Sequence, residues 1–189
     1  MEAIFESLLG LVTDWGYLGI FVLMILEGSF LPLSSKLIIW PSAYLAQQGY
    51  MNVYFLVFIA VTGNLIGASI NYIVARKLGR PILKHFSEKK IHKAEKFFKK
   101  YGEMSVFLGG LVSGVRQIMP ISAGLVKMPY TKFIFLTGLA SSIWLIFLAA
   151  IGYVFGANEE LLLDHSIAIS IGFVILALLI LPVFLIRKK

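Results

Sequence analysis

Two charged side chains stand inside apolar stretches, Glu27 in LEGSFLPLSSKLIIWP and Arg116 in SGVRQIMP. At the centre of a lipid-facing helix either charge costs about 2.5–3.5 kcal/mol, so each is expected to face protein or water. Arg116 offers a planar, permanently charged fork of donors, the geometry that grips phosphate or carboxylate through two parallel hydrogen bonds. Gly114 permits close backbone approach, Pro120 interrupts the helix a turn later, and free amides at a broken helix end add positive potential. The segment reads as an anion site, with Ser113, Gly114 and Gln117 as candidate lining.

Glu27 has three open uses. A desolvated carboxylate can carry a proton at accessible pH. It can also pair with Arg116 or Lys36, or meet an ammonium on a substrate. Glu27, Lys36 and Arg116 form the candidate substrate-binding set, and Ser34 and Ser35 are candidate lining beside them. Asn64 and Asn71, seven apart and hence on one helix face, either line a polar path or bond a neighbouring helix.

The elements that must position these residues follow from composition. The 189 residues are 59% hydrophobic and 14% charged, with a mean hydropathy of +0.88, which marks an all-α integral membrane protein. A single membrane domain over 1–189 accounts for the chain. Runs 4–26, 52–75, 130–156 and 166–186 are each long enough for a full span. Segments 27–48 and 104–127 are short or interrupted by Gly, Pro, Ser and charge. Irregular backbone at membrane depth is tolerated only where protein or a wet cavity shields it, so both read as re-entrant hairpins.

Ten of the 17 Lys and Arg lie in 76–100, against Glu88 and Glu95. The positive-inside bias places the 76–103 linker in the cytoplasm, together with Arg187, Lys188 and Lys189. Its apolar residues recur at helical spacing, as expected of a basic amphipathic helix lying against anionic headgroups. The flanking spans weigh against nucleic acid as its partner. The last two spans then run out and back, and the two hairpins enter from opposite faces. Both termini are expected in the cytoplasm, in a multi-pass protein of the cell membrane. Opposed hairpins are what an inverted repeat produces. Aligning Met51 with Met128 also pairs Ala46 with Ala123, Phe58 with Phe135, Ile66 with Ile143 and Gly79 with Gly156.

The absence of cysteine excludes disulfides and thiolate chemistry. No metal-ligand cluster, Gly-x-Ser-x-Gly or P-loop occurs, so neither an enzyme nor a cofactor is expected. The start MEAIFESLLGLVTDW carries Glu2, Glu6 and Asp14 in place of a basic n-region, so the first apolar run is expected to be retained.

The stretches LEGSFLPLSSKLIIWPSAYLAQQGYMNVYF, GNLIGASINYIVARKLGRPI, FFKKYGEMSVFLGGLVSGVRQIMPISAGLVKMPYTKF and LASSIW resemble the DedA family of VTT-domain membrane proteins over about residues 15–156. That resemblance implies paired re-entrant hairpins that move phosphate-headed lipids between leaflets, undecaprenyl phosphate or a phospholipid such as phosphatidylethanolamine, with coupling to protons in some members. Glu27 takes the place of the family's first hairpin acid and Arg116 that of its GVR arginine. Lys36 stands where members commonly carry a second acid, Gly110 where they carry an arginine and Ser113 where they carry a proline. The bacterial cytoplasmic membrane is the location it implies. Two readings from other classes compete with lipid translocation: a transporter or channel for a small ion or metabolite, and a structural or assembly protein working through the basic linker.

Overall fold

The computed structural model describes residues 2–29, 34–79, 98, 101–112 and 115–155. Ser113, Gly114, most of the basic linker and the 166–186 run lie outside them. Among the described residues the chain is all-helical, with no strand. The helices are α1 (Glu2–Gly28), α2 (Ser35–Gln47), α3 (Val53–Leu78), α4 (Met104–Gly110), α5 (Met119–Leu125) and α6 (Tyr130–Phe155). Two of them, Val53–Leu78 and Tyr130–Val154, are long and apolar enough to cross a membrane.

Directions follow from which residues touch. The Tyr17 hydroxyl accepts from the Asn52 amide at 2.6 Å. Gly63 lies against Phe21, Met24 and Ile25, and Gly67 against Ile25 and Gly28. Numbers rise together, so the second half of α1 runs parallel to α3. The expected single span over 4–26 is broken: Gly16 has φ 55 and ψ −130, a conformation outside the helical region that glycine adopts without steric cost. α1 also stops level with Gly67 and Asn71, two turns short of the end of α3.

A helix ending in a dry interior leaves carbonyls that water cannot reach. Here Asn71, fully buried on α3, donates its amide to Gly28 O at 3.1 Å and to Ser29 O at 2.7 Å. Asn71→Leu should strand both carbonyls and cost about 1–3 kcal/mol. Thermal unfolding of the detergent-solubilised protein reads this, and an unchanged midpoint would contradict it.

From its start beside Glu27, α2 returns the chain to the start of α3, where Asn52 caps the helix by accepting from the Tyr54 and Phe55 amides. The second half repeats the plan. Gly102 (φ 57) precedes α4, which runs parallel to α6, as the contacts of Glu103 with Lys132 and of Gly110 with Ala140 require. α5 then leads back to α6 while packing on α3, with Gly124 against Tyr72, Ala75 and Arg76. Each return limb ends alike, with a left-handed residue (Gly49 or Lys127) and a six-residue closing bond, Tyr50 N to Leu45 O and Met128 N to Ala123 O, both 3.0 Å.

Between the halves, α3 and α6 are antiparallel. Asn64 meets Ser141, Leu65 faces Gly138, Ser69 meets Tyr130, and Tyr72 stacks on Phe133. Both helices have 26 residues, and Asn64 and Ser141 are each the twelfth. Equal antiparallel helices that touch at equivalent positions define a two-fold axis through the contact, perpendicular to both. The partners exchange accordingly: α1 and α4 each lie along the long helix of their own half, while α2 packs on α6 and α5 on α3.

The core is apolar and close-packed around Ile20, Met24, Ile38, Leu56, Trp144 and Leu148. The outward faces of the long helices are apolar as well. Phe58 and its counterpart Phe135 are 63% and 69% exposed, and Ile66 and Ile143 are exposed in the same way. Such stripes on two long helices suit lipid as their surroundings, and the protein has a membrane location.

Candidate functional site

Glu27 lies one residue before the end of α1, where the helix dipole already presents negative potential. Its side chain is 3% exposed, so its charge requires donors. Ser35, the first residue of α2, donates to Oε1 at 2.8 Å, and Asn64 donates through Nδ2 to Oε2 at 2.7 Å. Arg116 Nη2 lies 3.8 Å from Oε2. Those three partners come from α2, from α3 and from the turn ahead of α5, so one carboxylate joins both halves.

Arg116 sits in consecutive turns over 115–118, its amide bonded to Val112 O, just before Met119 and Pro120 open α5. Its Nη1 donates to Ser35 Oγ at 3.2 Å, and its guanidinium lies 6.0 Å from the Trp144 ring centroid. Ser35 thus accepts from the arginine and donates to the glutamate, bridging an ion pair too wide for a direct hydrogen bond. Arg116 Nη2 and Thr137 Oγ1 are buried without a hydrogen-bond partner among the described residues.

Both groups line a cavity of about 20 Å³ bounded also by Glu27, Asn64, Gln117 and Ser141. That is room for a water molecule.

The residues singled out from sequence divide in space. Glu27, Ser35, Asn64, Arg116 and Gln117 converge here. Asn71 lies at the end of α1, away from the cavity, and Ser34 is exposed. Lys36 is not among the described residues that line the cavity, and its Nζ lies 5.8 Å from the Trp40 ring centroid. Gly110 lines the cavity, and a Cβ there would sit 2.7 Å from that of Ala140. An arginine at this position requires α4 and α6 to stand further apart than they do in this chain. Ser141, Thr137 and Trp144 were not singled out. The sequence signals were Thr137 and Ser141 one helical turn apart, and the place of Ser141 and Trp144 within the LASSIW stretch.

Comparison with known proteins gives this arrangement its lineage. The chain matches the VTT domain over residues 37–154. It is 30% identical over 152 residues to Uncharacterized membrane protein YbfM of Bacillus subtilis (strain 168), covering 77% of this chain and 94% of that protein. It is 27% identical over 195 residues to Undecaprenyl phosphate transporter A of the same organism, covering 100% of this chain and 96% of that protein. A protein of the same name from Staphylococcus aureus (strain NCTC 8325 / PS 47) is 25% identical over 143 residues, 70% of each chain. No solved structure matches. A VTT domain covering most of the chain, set in an all-helical body whose relatives are membrane proteins, makes this protein a member of the VTT-domain, or DedA, family.

Proposed function

We propose that the protein moves a phosphate-headed membrane lipid between leaflets, undecaprenyl phosphate or a phospholipid such as phosphatidylethanolamine. The observation that carries this reading is the Glu27–Arg116 pair, buried in a cavity between two halves of opposite orientation and bridged by Ser35. Transporters built from inverted repeats bind substrate near the midplane between broken helices. Undecaprenyl phosphate is named for two relatives and fits the same chemistry. In this reading Arg116 takes the phosphate with Gln117 beside it, and Glu27 balances the charge or carries a proton.

The hairpins enter from opposite faces, the second half of α1 with α2 from outside and α4 with α5 from the cytoplasm. α3 and α6 cross the bilayer fully, and the 76–103 linker and C-terminal cations are cytoplasmic, with the linker on anionic headgroups. With the helix broken at Gly16, we read the run 4–26 as less than a full span and the N-terminus as lying outside, in place of the cytoplasmic N-terminus expected from sequence. Residues 2–15 reach about 21 Å as helix, short of the roughly 30 Å of hydrocarbon. They belong at the outer surface, where Glu2, Glu6 and Asp14 suit them.

Reconstitution into liposomes with labelled undecaprenyl phosphate or labelled phosphatidylethanolamine tests the reading, with and without a pH gradient. Exchange of at least one lipid between leaflets is expected. Folded protein that exchanges neither would refute it.

A further inference from the structure

We infer that Asn64 and Ser141 are positioning residues, Asn64 pinning the Glu27 carboxylate to the first half and Ser141 orienting Asn64 from across the axis, so that Arg116 is the charge free to leave when the hairpins part. This rests on the reading of Glu27 and Arg116 as the working pair. Ser141 donates to Asn64 Oδ1 at 2.8 Å, and the amide nitrogen on the other side reaches Glu27 Oε2 at 2.7 Å. The amide is thereby oriented from both sides. Turned over, it would set an oxygen against a carboxylate. Ser35 holds the other carboxylate oxygen. Arg116, by contrast, reaches the acid only at 3.8 Å, and its Nη2 has no hydrogen bond among the described residues. Of the groups around Glu27, the arginine is therefore the least firmly attached. Asn64 and Ser141 are also the equivalent residues on the axis, so the pin lies where the two halves pivot against each other.

Asn64→Asp separates positioning from packing, because it keeps the shape and replaces the donor. The charged groups lining the cavity are Glu27 on α1 and Arg116 ahead of α5, while α2 brings Ser35, α3 Asn64, and α6 Thr137 and Ser141, none of which titrates in this range. Lys36 on α2 lies outside that lining, its Nζ 5.8 Å from the Trp40 ring centroid. In acid, two adjacent carboxyls share a proton, and the aspartic acid donates to Glu27 as the amide does. As pH rises that proton is lost and two carboxylates face each other.

Thermal unfolding in detergent should place Asn64→Asp closest to wild type at the acid end of a pH series and several degrees below it at the alkaline end, with leaflet exchange relative to wild type falling about tenfold across the series. A gap between variant and wild type that does not change with pH would overturn the inference. The unfolding arm decides it even if wild type exchanges no lipid, in which case the functional reading fails alone. If Asn64→Asp does not fold, Ser141→Ala, Asn64→Ala and their double variant decide: positioning through one chain predicts that the double loses no more exchange or stability than Asn64→Ala, and additive losses contradict it.

Discussion

Arg116→Ala should reduce leaflet exchange of the phosphate-headed lipid about a hundredfold, the loss typical of removing one charged donor from a closed site. It should also destabilise the protein, because removing one partner of a buried pair strands the other and costs about 3–5 kcal/mol. The lower end applies here: Glu27 keeps Ser35 and Asn64, and the arginine stands at 3.8 Å. Arg116→Lys should recover stability better than exchange. A lysine restores charge, yet it lacks the planar fork that Arg116 holds 6.0 Å from the Trp144 ring centroid. Proteoliposome exchange and thermal unfolding on the same preparations separate the two effects. If Arg116→Ala exchanges lipid at the wild-type rate, the phosphate role assigned to it is wrong.

The second large effect is structural. A Cβ at Gly67 would lie 2.4 Å from Ile25 O and 2.7 Å from Gly28 C, both main-chain atoms that cannot rotate aside. Gly67→Ala should cost about 3 kcal/mol as α1 and α3 are forced apart, and Gly67→Leu should leave little folded protein in detergent. Because the displaced segment carries Glu27, exchange should fail in any Gly67→Ala protein that does fold. Gly138→Ala provides the contrast. It too lies on a long helix at a helix–helix seam, but its Cβ would meet only Leu65 methyl carbons at 3.7 and 3.8 Å, ordinary contact distances. Size-exclusion profiles and unfolding midpoints of the two variants should diverge, and equal behaviour would mean that the α1–α3 approach is not the constraint it is taken to be.

Much of this was legible in the sequence. Composition alone identifies a membrane protein, and the two charges that looked out of place in separate segments lie together in space. The broken direction of α1 was not legible, because a glycine within an apolar run is compatible with unbroken helix and only φ 55 at Gly16 reveals the turn. The repeat was half hidden for a related reason. Trp15-Gly16 aligns with Tyr101-Gly102 at an offset of 86, whereas α3 aligns with α6 at an offset of 77. The first hairpin is nine residues longer, so comparison at either offset alone recovers only part of the likeness.

The hydroxyls of α6 escaped notice for a chemical reason. A serine or threonine in an apolar helix can satisfy itself on a carbonyl one turn back. Ser42, Thr62 and Ser69 do so on Ile38, Phe58 and Leu65. A hydroxyl within a span therefore carries no signal of its own, and only the fold shows that Ser141 serves a neighbouring helix instead.

The crossing of α3 and α6 at equivalent residues has an energetic corollary. Two halves related by a two-fold could trade shapes and leave the total energy unchanged, giving a device with no preferred side. This chain breaks that degeneracy at the axis itself, where asparagine faces serine, and again one step away, where Glu27 aligns with Ser113 instead of a second acid. Only one trade of shapes keeps the acid on its donors. If the proposed transport proceeds by the two halves trading shapes, the inward and outward facings are expected to differ in energy, and one of them to be the resting side.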